Sequence, residues 1–171
     1  MKVHEVAKIH TEFYPFAEKL NPILHEIIIK RSYREDMGAI MTDWNIFDIP
    51  EFQKIGDFAT NIIRGWSRDI YTPARKHGLR LNNLWGQWYR KGDYQVSHAH
   101  QPNQWSFVYY VNVPKGSSPL VFTESRKKIY PKEGMILIWP SWIRHEVPPN
   151  KCEGRSIIAG NYYYLNEGDQ V

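Results

Sequence analysis

Two histidines separated by one residue, His98-Ala99-His100, close a β-prone run over residues 94–100. In an extended strand alternate side chains share a face, so His98 and His100 project together while Ala99 points away. Two imidazoles on one face can share one metal ion. A third ligand is needed, and His145 is the candidate: it follows the turn at Pro140-Ser141, which ends the apolar run 135–139. Neutral imidazole suits Fe, Cu, Zn and Ni, and non-haem Fe(II) oxygenases usually combine two His with one carboxylate around open coordination positions. Here the short motif reads His-x-His. Arg155 adds an anion-binding group, because a guanidinium is a planar fork that matches a carboxylate and is costly to bury without such a partner. It opens the apolar run Ile157-Ile158-Ala159, so its head can point inward.

The elements that must position these residues fall into two regions. From residue 79 onward helical periodicity disappears. Short β-rich runs follow at 79–89, 94–100, 105–113, 120–124, 128–130, 135–139, 145–147 and 156–165, punctuated by turn residues such as Pro114, Gly116, Gly134 and Pro148-Pro149. About eight such strands predict a double-sheet jelly roll, the double-stranded β-helix of cupin-like proteins. Before them, residues 3–13 alternate loosely and suggest one strand. Asn21-Pro22 offers a helix cap with proline in the first helical position, and Ile23, Leu24, Ile27 and Ile28 recur at helical spacing to about Arg31. Residues 34–43 read as a polar loop. A second helix starts near Asp48-Ile49-Pro50 and carries the stripe Phe52, Ile55, Ala59, Ile62, Ile63, Trp66 and Ile70. The expected class is α+β, mainly β, with N-terminal helices packed on one sheet. The expected organisation is a single domain over 1–171, with a helical support region at 1–78 and a jelly-roll core at 79–165.

Composition narrows the function classes. Apolar residues make up 42% and charged residues 23%, which is ordinary for a globular chain of this length. Seven Trp and eleven Tyr are a heavy aromatic load, suited to sandwich cores and ligand sites. The net charge of +4 is spread along the chain apart from runs such as Arg126-Lys127-Lys128. A nucleic-acid footprint would cluster on one face among stacking aromatics, so nucleic-acid binding is not expected. The lone Cys152 excludes an internal disulfide and fits a reducing compartment. The N-terminus lacks the apolar core of a signal peptide, and no window approaches a membrane span of about 20 apolar residues. A cytoplasmic protein follows as the expectation, with homo-oligomerisation open.

The spacing Tyr89-x-x-Gly92 followed by His98 resembles the first metal-binding segment of prolyl-hydroxylase-like Fe(II)- and 2-oxoglutarate-dependent oxygenases, with His100 where those enzymes carry Asp. A smaller branch of that superfamily, known from phages and bacteria, is more similar still. The matches are Trp85, Gly92, His98, His100, Tyr109-Tyr110-Val111, Pro140-Ser141-Trp142, His145, Val147, Pro149, Arg155 and Asn161. The resemblance implies a dioxygenase in which His98, His100 and His145 hold Fe(II). It also implies that Arg155, helped by Tyr110, grips the remote carboxylate of 2-oxoglutarate, and that molecular oxygen and a further substrate are the other partners. His100 in place of Asp removes a negative charge, so the site could also draw on Glu124 or Asp93. Two other readings keep the fold: a cupin-like metal-binding module, and a three-His dioxygenase that does not use 2-oxoglutarate.

Overall fold

The computed structural model describes residues 7–36, 38–70 and 78–165. Two antiparallel sheets face each other. The larger runs β1-β9-β6-β11-β4-β3-β2 and the smaller β5-β10-β7-β8. The strands are β1 (His10–Phe13), β2 (Arg34–Asp36), β3 (Ala39–Met41), β4 (Gly78–Tyr89), β5 (Gln95–His98) and β6 (Trp105–Asn112), followed by β7 (Leu120–Phe122), β8 (Lys127–Ile129), β9 (Met135–Pro140), β10 (His145–Val147) and β11 (Arg155–Leu165). Helices α1 (Ala17–Arg31) and α2 (Pro50–Ile70) cover the outer face of the larger sheet. The expected double-stranded β-helix with helices on one sheet is the observed architecture.

The centre of the larger sheet is β11, paired with β4 on one side and β6 on the other. A strand covered on both faces has no polar side to alternate with, which is why it reads as a continuous apolar run. Ile158 and Tyr162 pack toward the helices, with Leu24, Ile28, Phe52, Ile55 and Ile63. Each of those five helix side chains is fully buried, contributing about 1.5–3 kcal/mol apiece. Ile157 and Ala159 face the other way, into the space between the sheets, with Trp85, Tyr89, Tyr110 and Trp139. The close approach of the helices needs Gly86, where a Cβ would lie 2.8 Å from the Ile28 side chain.

Three expectations change. Helix α1 begins a turn earlier than Asn21, with Pro22 inside it. Asn21 is not a cap: it is buried, and its Oδ1 accepts a 2.6 Å hydrogen bond from the Tyr109 hydroxyl, fixing α1 to β6. The 34–43 stretch is not a loop but the hairpin β2/β3, turned at Gly38 (φ 85°) and paired to β4 through Ile40 and Met41. β2, Arg34-Glu35-Asp36, is the polar edge strand, where such composition is normal, and β3 behind it is only the three apolar residues Ala39-Ile40-Met41, too short to show a pattern. The first strand covers only His10–Phe13, with residues 1–6 outside the described residues. The side chains of Trp66 and Ile70 in the α2 stripe, and the polar tail at 166–171, also lie outside them.

Candidate metal centre and its cavity

The smaller sheet brings two of the three histidines together directly. His145 on β10 is the register partner of His98 on β5, with ring centroids 4.4 Å apart. His100 does not share a strand with His98, as the His-x-His spacing suggested, because β5 ends at His98. His100 is held in the following turn. Its N–H donates to the Ser141 carbonyl at 2.8 Å, and its own carbonyl accepts from the Asn103 N–H and Nδ2 at 3.0 and 2.8 Å. Ser141 is tied in turn through its hydroxyl to Ser106, which donates to Asn161. The turn thus hangs from the start of β6, the end of β9 and the middle of β11. His100 comes within 4.9 Å of the His98 ring and 5.1 Å of the His145 ring, centroid to centroid. One nitrogen from each of the three lies within 4.8 Å of the others. At metal–nitrogen distances of about 2.1 Å, small side-chain rotations close such a set around one ion.

Two of the rings have their tautomer fixed. His98 Nδ1 donates to the Val96 carbonyl at 2.7 Å and His145 Nδ1 to the Ile143 carbonyl at 3.1 Å, since a carbonyl can only accept. The Nε2 lone pairs are thereby left for a ligand, the second-layer arrangement that orients metal-binding histidines. Burial then keeps the rings neutral. It lowers the pKa of His98, brings His100 down to about 4 with the charge of His98 adding to the effect, and brings His145 to about 3 with both other rings contributing. At neutral pH all three present lone pairs rather than protons. Neither carboxylate considered from the sequence joins them: Asp93 accepts from Arg90, and Glu124 is exposed. Among the described residues the cluster is histidine alone.

The cavity beneath the histidines is lined by Arg155, Tyr89, Gln95, Trp85, Trp139 and Ile157, among others. Arg155 is 1% exposed, with its guanidinium carbon 4.5 Å from the centroid of Tyr89 and 5.7 Å from that of Tyr110. Its Nε and Nη1 make no well-formed hydrogen bond, nor do the Tyr110 hydroxyl and Gln95 Nε2, which interact only loosely with Arg155 and with the Tyr89 hydroxyl respectively. Burial pushes the Tyr110 phenol up to about 12 against the opposing charge of Arg155, so it is a donor at neutral pH. A buried cation without a counter-charge costs several kcal/mol. Converging donors met only by phenol oxygens fit a carboxylate-bearing ligand, and the three neutral imidazoles fit a divalent transition metal. Of the sequence candidates, His98, His100, His145 and Arg155 line one cavity; Tyr110 is not among its lining residues and stands against Arg155. Gln95 was missed.

Two antiparallel sheets clasping a histidine cluster, backed by helices on one side, form a double-stranded β-helix. The sequence model of the family described as "Putative 2OG-Fe(II) oxygenase" matches residues 83–130, a span holding His98, His100 and Tyr110. The fold is similar to the viral collagen prolyl hydroxylase of Paramecium bursaria Chlorella virus-1 in its 2OG complex: TM-score 0.73, 14% identity, 92% of this chain and 96% of that one. It is also similar to a Pseudomonas putida prolyl-4-hydroxylase: TM-score 0.69, 15% identity, 92% and 93% covered. A Burkholderia pseudomallei oxidoreductase of the 2OG-Fe(II) oxygenase family follows: TM-score 0.62, 15% identity, 91% and 84% covered. No curated protein matches the sequence. The chain is prolyl-hydroxylase-like in fold, and the segment holding two of its three clustered histidines is similar to the 2OG-Fe(II) oxygenase family's model.

Proposed function

We propose that this protein is a non-haem Fe(II)- and 2-oxoglutarate-dependent dioxygenase that hydroxylates an organic substrate. His98, His100 and His145 are its metal ligands, and Arg155 with Tyr110 anchors the remote carboxylate of 2-oxoglutarate. One observation carries the reading: three neutral imidazoles converge within 4.8 Å near a buried guanidinium that has open N–H groups and, among the described residues, no carboxylate paired with it. When bound, Fe(II) and 2-oxoglutarate supply the oxidising chemistry, in which the 2-oxo acid becomes succinate and carbon dioxide and one atom of O2 goes to the substrate. The chain's own part is positional. His98 and His145 are oriented by the Val96 and Ile143 carbonyls, while Arg155 sets the depth of the dicarboxylate and the Trp85 and Trp139 rings keep bulk water away. The support for a single oxygenase domain over 1–171 is that β1, β2 and β3 of the N-terminal region hydrogen-bond into the larger sheet. Among the described residues no helix is long and apolar enough to cross a membrane, and with the lone cysteine this favours a cytoplasmic location.

The test is anaerobic titration with Fe(II) and 2-oxoglutarate, followed by oxygen. A metal-to-ligand charge-transfer band and succinate release are expected. Stoichiometric Zn or Ni with no turnover would instead indicate a cupin-like binding module. Oxygen uptake indifferent to 2-oxoglutarate would indicate a three-His dioxygenase acting directly on its substrate.

A further inference from the structure

Strand β5 departs from simple alternation at the point where it meets the histidine cluster. His145 pairs with His98 and Val147 with Gln95, so the single residue Glu146 on β10 stands opposite Val96 and Ser97 on β5. That is a β-bulge, and its effect is to put two residues three apart in sequence onto one face. Gln95 therefore lines the same cavity as His98, although an unbulged strand would turn it the other way. It is 5% exposed, and its Nε2, whose one neighbouring acceptor of note is the Tyr89 hydroxyl, makes no well-formed hydrogen bond and has a second N–H to give. Its neighbour on the cavity wall is Tyr89, whose hydroxyl donates to Gln87 Oε1 at 3.0 Å and accepts loosely from the Gln95 amide, and whose ring carries the Arg155 guanidinium. A buried amide with only a poorly formed bond to Tyr89, beside a buried guanidinium with open N–H groups, is expensive unless a ligand acceptor completes both.

We propose that Gln95 is a further positioning residue for the cosubstrate: its Nε2 donates to the same remote carboxylate that Arg155 holds. The inference rests on the dioxygenase reading above and adds to it a residue on the smaller sheet. The anion pocket then bridges both sheets, with Arg155 reaching from β11 and Gln95 from β5, so a dicarboxylate ties together the strand that carries His98 and the strand that carries the guanidinium.

The experiment uses the full chain loaded anaerobically with Fe(II) and follows binding of two probes by the charge-transfer band. One is 2-oxoglutarate; the other is 2-oxobutyrate, which has the same chelating end and no remote carboxylate. In Gln95→Leu the Kd for 2-oxoglutarate should rise about tenfold to a hundredfold, with the Fe(II) Kd and the 2-oxobutyrate Kd within about twofold of the parent. Gln95→Glu should bind 2-oxoglutarate still more weakly, because like charges meet in a desolvated site. Gln95→Met, closest in length, guards against a packing defect in the Leu variant and should reproduce its pattern. Equal affinity of the parent and both apolar variants for 2-oxoglutarate overturns the assignment. So does equal weakening of both probes, which marks a packing role. Failure of the parent chain to bind Fe(II) or 2-oxoglutarate at all is a different result, and it defeats the dioxygenase reading itself.

Discussion

Replacing Arg155 with methionine should push stability and ligand affinity in opposite directions. The side chain is 1% exposed, and Met keeps most of its volume while deleting the charge. Without cosubstrate, the guanidinium carries a desolvation cost of several kcal/mol. The Tyr89 and Tyr110 rings, 4.5 and 5.7 Å away, return about 1–2 kcal/mol each. The variant without ligands should therefore melt at or above the parent temperature, at roughly 2–4 °C per kcal/mol for a chain of this size. With cosubstrate the sign reverses. The two open N–H groups, Nε and Nη1, can each form a charge-assisted bond of about 1.5–3 kcal/mol. Their loss should raise the Kd for 2-oxoglutarate about 10²- to 10⁴-fold. The assay is a pair of thermal melts with Fe(II), with and without 2-oxoglutarate at a hundred times the parent Kd. Linkage gives the parent about 2.7 kcal/mol of added stability there, a shift of roughly 5–10 °C, and the variant close to none. A Met variant that is less stable without ligand and shifts as far as the parent with it would refute the reasoning, because Arg155 would then be a structural cation held by the two tyrosines.

Three further outcomes are expected. His98→Ala, His100→Ala and His145→Ala should each lose stoichiometric metal, measured by elemental analysis after desalting, whereas His100→Asp should bind Fe(II) more tightly, since it restores an anionic ligand beside a dication. The metal-free protein should lose stability on acidification. With His100 near 4 and His145 near 3 in the fold and about 6.5 unfolded, the unfolded chain binds the extra protons. The contribution is complete above about pH 6.5 and falls away from there toward pH 4 and then pH 3, on the order of a few kcal/mol, which urea unfolding at pH 7.5, 5.5 and 4.5 would read. Gly160→Ala should destabilise by about 2–4 kcal/mol in the same assay, because a Cβ there would sit 2.5 Å from Phe107 Cε1 and 2.7 Å from the Asn83 carbonyl.

Much of this protein was legible in its residues because the signals were local. Turn residues and β-branched runs located β4 to β11 to within a residue or two. Pro50 began α2, and the ordered set His98, His100, His145 and Arg155 named the residues that one cavity gathers. The hairpin at β2/β3 was lost because its edge strand β2 is wholly polar and β3 is only three residues long. The start of α1 was misplaced because Asn21-Pro22 carries a strong cap signal, although Asn21 serves a tertiary contact with Tyr109.

By itself, then, the sequence determined the strand order along the chain, the amphipathic helices and the chemical types of the site, since each depends on periodicity or on residue identity. Only the tertiary structure decided how far apart the imidazoles stand, that His100 reaches the cluster from a turn hung on Ser141, and that Arg155 is a buried cation without a protein counter-charge. It also decided the face of Gln95. An extra residue in β5 inverts the alternation from which a face would be read, and that bulge exists only in the pairing of β5 with β10, two segments almost fifty positions apart.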